Sequence, residues 1–265
     1  MQQSTPLRIR QQIRNGTFTK PTSGCAPGFV QCNLVILPKE YADDFLTFCQ
    51  LNPKSCPLIA MSENAGDFTL EILGVDVDIR TDISLYRIYE NGELIRETAD
   101  VKNIWQNNFM FFLLGCSFSF EEALLAENIE VRNISEEKNV PMYKTNISNS
   151  PVNDFKGEMV VSMRPLKPQD IERASQICSQ FPKVHGAPIH FGNPLDIGIT
   201  DINYPDFGEA VTIKEGEIPV FWACGVTPQL AIKNAKPPIC ITHSPGYMLI
   251  TDIPNTSLRN NIDIQ

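Results

Sequence analysis

Six consecutive apolar residues, Phe109–Leu114, stop at Gly115-Cys116-Ser117 and give way to a helical pattern carrying Ala123, Leu124 and Leu125. No other feature limits the fold as strongly, because the same order of events recurs. Residues 218–224 run apolar, reach a small-residue turn and enter a helix that begins at Thr227-Pro228. A short run that is apolar throughout reads as a buried strand, and a strand feeding a helix through a tight turn is a unit of α/β proteins. The rest of the chain keeps this rhythm. Residues 33–37 and 159–163 predict further buried strands, 39–50 and 168–180 amphipathic helices, and 239–242 and 247–251 the last strands. Asn91-Gly92, between 86–89 and 94–96, is a hairpin signal.

The two halves can be laid side by side. Strand 33–37 answers strand 159–163. FFLLGCSFSFEEAL answers PVFWACGVTPQLAI, pairing Cys116 with Cys224, Ser119 with Thr227 and Ala123 with Ala231. VPMYKTNI answers PGYMLITDI, pairing Thr145 with Thr251 and Asn146 with Asp252. The shared order predicts an internal duplication, with similar halves at 33–150 and 159–253. Both lie inside one α/β unit over 1–265 that ends in a loose tail, 254–265. Each half then contains a helix start with unpaired backbone N–H groups and a partial positive charge, a setting that holds carboxylates. Both starts are expected beyond the carboxyl ends of strands, where α/β sheets bind ligands. Ser119 and Glu122 have the spacing of a capping box.

Composition excludes several functions. With 265 residues, 42% hydrophobic and 20% charged, the chain can bury a sizeable core and is not of disordered type. A net charge of -9 without any cluster of Lys and Arg argues against a nucleic-acid surface and against an anionic membrane. An anionic substrate must therefore be captured by local cations or backbone N–H groups. The opening MQQSTPLRIRQQIRNG lacks the apolar core of a signal peptide, and the longest apolar run is too short to span a bilayer. Eight cysteines without a C-x-x-C pair read as reduced thiols of a cytoplasmic protein. Self-association is left open.

The titratable residues point to a small set of candidates. The only histidines, His185, His190 and His243, all fall in the second half, in Gly- and Pro-rich settings, and are the acid–base candidates. Their spacing does not give a shared face, and the cysteines lack metal-ligand spacing, so neither a metal nor another cofactor is expected. Arg164, placed at the end of a strand, and Lys144 are candidates to clamp a carboxylate. Asn146, Ser117, Ser119 and Thr227 complete the substrate-binding set. Cys116 and Cys224 could serve as activated thiolates at helix starts, but no base accompanies them and buried packing is the favoured reading. Glu121 and Glu122 read as first-turn acids that suit the helix dipole.

The strings GCSFSFEEALL, NVPMYKTNI, MVVSMRP, FPKVHGAPIHFG, FWACGVTPQ and ITHSPGYMLITD, in this order, resemble the YcsI-like hydro-lyase family, which includes the D-glutamate cyclase domain. The resemblance runs from about Gln31 to Asp252. It implies an α/β fold with a mixed-sheet three-layer part and a smaller two-layer α+β part. It also implies a carbon–oxygen lyase that removes water from a small carboxylic or amino acid, as when D-glutamate closes to 5-oxo-D-proline. Lys144 departs from the family pattern, which has arginine there, and a bidentate fork is lost. Cyclisation requires a neutral amine, donors for the developing oxyanion and an acid for the leaving oxygen. An ordinary hydro-lyase instead needs a base for a carbon-bound proton. Two alternatives use the same residues: a non-catalytic carboxylate-binding protein, and an amidohydrolase-like enzyme that opens the ring.

Overall fold

Most of the chain packs around one strand, β1 (Phe29–Pro38), of which every residue after Phe29 is buried. In the computed structural model, which describes residues 5–22 and 24–259, β1 lies near the centre of a seven-stranded sheet. Its neighbours are β5 (Phe109–Leu114) on one side and β10 (Cys240–His243) on the other. β2 (Leu58–Met61) continues the sheet beyond β5, and β3 (Tyr86–Glu90) and β4 (Glu93–Thr98) continue it beyond β10. β11 (Leu249–Pro254) pairs with the first part of β1. A second sheet has the order β6 (Met142–Ser148), β7 (Glu158–Leu166), β9 (Ile218–Ala223), β8 (His190–Phe191).

Alternation along β1 builds two cores. Leu34 and Ile36 face a cluster with Phe111 and Leu113, to which Phe120 and Leu124 of α3 (Phe118–Ala126) and Ala174 and Cys178 of α5 (Pro168–Ser179) contribute. Val35 and Leu37 face the opposite cluster, with Phe45 and Phe48 of α2 (Ala42–Leu51) and Ala231 and Ile232 of α6 (Thr227–Ala235). The large sheet is therefore covered by helices on both faces, which gives three layers. Val220 and Trp222 of the small sheet enter the α3–α5 cluster, so that sheet and those helices form the two-layer part. The α/β class and its two parts agree with expectation, but the large sheet is antiparallel and not mixed.

Several details differ. Every strand pairing among the described residues is antiparallel, so the rule that places ligands beyond the carboxyl ends of parallel strands does not apply here. A helix that sequence patterning missed, α1 (Thr5–Arg14), buries only Pro6, Ile9, Arg10 and Ile13. Its Arg10 is fully buried and donates to Asp252 at 3.1 Å and to the carbonyls of Ile250 and Val75 at 3.0 and 2.7 Å. A short helix, α4 (Arg132–Ser135), was also not foreseen. Within the expected loose tail, residues Asn255–Leu258 form a 3-10 turn whose Leu258 packs into the core, and 260–265 lie outside the described residues. The Asn91-Gly92 hairpin is present, with both residues at positive φ (50° and 85°), as a two-residue type I′ turn requires.

Two local arrangements recur in the two halves. Asn33 of β1 lies opposite Leu114 of β5, and Ser162 of β7 lies opposite Trp222 of β9, each two residues before its cysteine. Asn33 thus corresponds to Ser162, three residues along from the alignment of 33 with 159. The closing strands are exchanged: β6 pairs with β7 of the second half, and β11 pairs with β1 of the first. Each carries the same device. Thr145 donates to the carbonyl of Met159 at 2.7 Å and accepts from Ile147 N–H at 3.2 Å; Thr251 donates to the carbonyl of Val30 at 2.8 Å and accepts from Ile253 N–H at 3.2 Å. Replacing either threonine by valine keeps the shape but strands polar partners. Thr145→Val and Thr251→Val should each lower stability by about 1–3 kcal/mol. Urea unfolding of the double variant should return the sum, because the two sites share no partner.

Candidate active site

The site is built where the two strand-to-helix turns meet. Gly115 follows β5 against the backbone of Lys183; a Cβ there would lie 2.0 Å from that carbonyl oxygen, so only glycine permits the approach. Gly225 follows β9, and a Cβ on it would lie 2.4 Å from the Asn33 amide nitrogen. Asn33 donates to the Gly115 carbonyl at 2.9 Å, so one buried amide from β1 joins the starts of α3 and α6. Sequence patterning gave no sign of this residue.

Neither helix start is capped as predicted. α3 begins at Phe118 with Ser117 as N-cap and no side-chain capping bond, which places Ser119 inside the first turn. α6 begins at Thr227, whose hydroxyl accepts from Val160 N–H at 3.0 Å and so latches the helix to β7. Burial pushes the Cys116 thiol up to about 12 and the Cys224 thiol up to about 11, a rise that backbone N–H groups of Phe118 and Val226 offset only in part. Both thiols are protonated at neutral pH, so the helix starts do not activate them.

Arg164 is not at a strand end. β7 runs on to Leu166, and the guanidinium is 1% exposed. Its donors are engaged. Nε and Nη2 bond Glu121 Oε1, the former at 3.0 Å; Nη2 also donates to Ser117 Oγ and Nη1 to Ser162 Oγ, each at 3.0 Å. The rings of Phe120 and Trp222 lie 5.2 and 5.4 Å from its central carbon. The consequence of this pairing is that Arg164 orients Glu121 and does not present a free fork to a substrate.

The three histidines are not brought together. His185 is buried in left-handed backbone (φ 82°), with Nδ1 at 2.7 Å from the Lys54 carbonyl. His243 is buried in β10, and its Nδ1 accepts from Leu34 N–H at 3.1 Å, which places the proton on Nε2. His190 is half-buried, bonded to the Asn193 carbonyl at 2.9 Å and stacked on Phe221. Burial lowers His185 and His243 to about 4, so both are neutral. Among the described residues no group of three His, Cys, Asp or Glu could hold a metal ion. Lys144 and Asn146 are exposed on β6, and Lys144 faces Asp206 at 3.5 Å, apart from the helix starts.

Glu121 does more than sequence reasoning allowed it. With Phe118, Glu122 and Leu125 it forms one wall of a groove of about 580 Å³. The other walls come from Gln31 of β1, Asn133 of α4, Lys138 and Asn255. Lys138 donates to Glu136 and to the Ala210 carbonyl, both at 2.9 Å. Asn255 donates to Glu122 at 2.7 Å and Gln31 to the Thr22 carbonyl at 3.0 Å. The side-chain oxygens of Gln31, Asn133 and Asn255 have no partner, although these residues are 4%, 5% and 9% exposed. Each such oxygen costs about 1–3 kcal/mol until a donor meets it. One signal for Glu121 was available: an arginine inside the apolar string MVVSMRP requires a buried acid.

A two-part α/β fold with a groove beside a buried carboxylate–guanidinium pair is the kind of setting in which proteins bind small molecules. The comparisons place the chain more closely. The family described as D-glutamate cyclase matches residues 110–252. A protein of Burkholderia ambifaria named "Putative hydro-lyase" is 54% identical over 254 residues, 96% of this chain and 98% of the relative. Proteins with the same designation from Bordetella petrii and Bordetella pertussis are 54% and 55% identical, covering 97% and 95% of this chain and 97% and 90% of the relatives. The chain belongs to this hydro-lyase family with a D-glutamate cyclase domain. A solved nitrogen repressor-like protein from Methanococcus jannaschii, at 10% identity and a TM-score of 0.38 over 93% of this chain and 97% of that one, is too distant to carry an argument. No helix among the described residues is long and apolar enough to cross a membrane.

Two measurements test this site. His185 and His243 titrate near 4 when folded and near 6.5 when unfolded. The unfolded chain therefore binds more protons between those values, and their contribution is complete above about pH 6.5 and lost as pH falls toward 4. Each should account for on the order of 3 kcal/mol of that loss, and His185→Gln or His243→Gln should flatten the stability–pH curve in that window. Separately, Arg164→Met and Glu121→Leu should each cost about 3–5 kcal/mol, because each leaves a buried charge unpaired. In denaturant unfolding, the double variant should lose clearly less than the sum of the two.

Proposed function

We propose that this protein is a lyase that expels water from a small amino acid, closing D-glutamate to 5-oxo-D-proline. The reading is carried by one observation: Glu121, whose carboxylate is held by the Arg164 guanidinium, is also a residue of the groove wall. The family description and the designations of the relatives support the same reaction class.

The chemistry asks for little machinery but exact placement. The substrate nitrogen forms a bond to the carbon of the distal carboxyl group while one oxygen of that group departs. Of the three ammonium protons, one stays on the lactam nitrogen and two leave with the oxygen as water, so no co-reactant is needed. A single carboxylate can accept a proton from the ammonium and return it to the leaving oxygen. Glu121 takes that role, with Arg164 fixing its orientation. Lys138 uses its ammonium on Glu136 and Ala210, and a third N–H is available for a substrate carboxylate at the wall of the groove. Holding the chain folded back supplies much of the remaining barrier reduction, since ring closure is otherwise limited by orientation.

Incubation with D- and L-glutamate, followed by mass spectrometry, should give loss of one water from D-glutamate. Glu121→Gln should lower kcat by about 10²–10⁴-fold with binding largely retained. Absence of water loss by the folded wild-type protein would refute the reaction. Wild-type turnover in a folded Glu121→Gln protein would remove Glu121 from it.

A further inference from the structure

The groove is larger and more apolar than a molecule as small as glutamate needs. Its volume of about 580 Å³ lies in the range that drug-sized ligands fill. Leu125 of α3 and Ile134 of α4 line it and are 45% and 42% exposed, so each helix leaves a large apolar side chain open to solvent there. Phe29 and Phe118 add half-buried rings. The charge balance points the same way. Among the described residues that line the groove, Lys138 is the one cation, and Glu136 already takes part of its charge. Against it stand Glu121, Glu122, Glu137 and Glu209. Arg164 balances Glu121, which leaves three acids, all of them exposed. A ligand with two free carboxylates brings more negative charge than this groove can match.

We propose a further activity for this groove: it takes γ-amides of D-glutamate formed with an apolar amine, closes them to 5-oxo-D-proline and releases the amine, and it prefers them to free D-glutamate. This rests on the reading that the groove is the site of ring closure. Capping the distal carboxyl group makes the ligand a zwitterion. Its one carboxylate meets Lys138, its ammonium suits the acidic surroundings, and the apolar part of the amine lies on Leu125 and Ile134. The step balances without a co-reactant. The substrate nitrogen bonds to the distal carbonyl carbon, and the bond from that carbon to the amide nitrogen breaks. Of the three ammonium protons, one stays on the lactam nitrogen and two leave with the amine, which departs as an ammonium ion. Glu121 carries the transferred proton, as in the loss of water. A neutral amide carbonyl is also easier to attack than an anionic carboxylate, on which further negative charge must build. Contacts to the apolar part lie away from the reacting carbon, so the binding energy gained there can hold the chain folded back.

Mass spectrometry of the 5-oxo-D-proline formed from D-glutamate, its γ-methylamide and its γ-benzylamide tests this on the full-length protein. The methylamide removes the charge without adding an apolar body, and the benzylamide does both. kcat/KM should rise from D-glutamate to the methylamide and again to the benzylamide, by about tenfold or more over the series. Leu125→Ser and Ile134→Ser should each lower kcat/KM for the benzylamide, relative to the methylamide, by about three- to tenfold. Both positions are exposed, so folded proteins are expected, and a thermal melt checks this. Should one variant not fold, the other and the wild-type series still decide. Benzylamide turnover no faster than that of D-glutamate, or variants that leave the benzylamide-to-methylamide ratio unchanged, would overturn the proposal even where D-glutamate loses water. Benzylamine released together with D-glutamate instead of the lactam would mean hydrolysis and overturn it as well. Lactam from the benzylamide but not from D-glutamate would keep this activity and reject the loss of water. Lactam from none of the three would reject both.

Discussion

The contact on which the site depends is the buried pair between Arg164 and Glu121. A guanidinium inside an apolar strand is tolerable only if its charge and its donors are matched, since desolvating either partner alone costs several kcal/mol. Here the match is made across the junction of the two parts of the fold. β7 belongs to the small sheet, while Glu121 lies on α3, which also packs on the large sheet. Ser117 and Ser162 take up the remaining directions, and two aromatic rings close the sides. The pair therefore does two things at once: it fixes how α3 meets the small sheet, and it holds the side chain of a groove-lining residue in one orientation.

The exchange of closing strands ties the two parts together at this junction. Each half has a strand, then a helix, and later a strand that turns into a second helix, but the closing strands are traded, β6 to β7 and β11 to β1. Neither half can complete its sheet without the other. The two positions that match in this arrangement have different tasks. Asn33 holds the two helix starts together through Gly115, and its counterpart Ser162 supports Arg164. One member of the pair stabilises the junction and the other serves the ion pair. This also accounts for the small residues at both turns, where Gly115 and Gly225 admit backbone and amide atoms that a Cβ would exclude.

Some of this was readable from sequence and some was not, for definite reasons. Apolar runs identified β1, β5, β7 and β9 because burial on both faces leaves no polar alternation to confuse the pattern. Asn91-Gly92 located its hairpin because few residues accept two successive positive φ angles. The first helix escaped notice because Ile9 and Ile13 are its only large buried apolar residues, and its key contact is a buried arginine. Hydroxyls misled for another reason. Ser119 and Thr227 have the right types for caps, yet Ser117 accepts from Arg164 and Thr227 from Val160. Local spacing cannot say which of two competing partners a hydroxyl takes.

By itself the sequence determined the class of the fold, the places where strands turn into helices, and the family, since each is written in short-range order along the chain. Tertiary structure alone decided the antiparallel pairing, the exchange of closing strands, the burial of Arg164 and the membership of the groove. Gln31 and Asn255 lie far in sequence from Glu121, Asn133 and Lys138, and the set shares no spacing. What unites them is that folding brings their segments to one face of α3, and a proximity created by packing leaves no periodic trace in the chain.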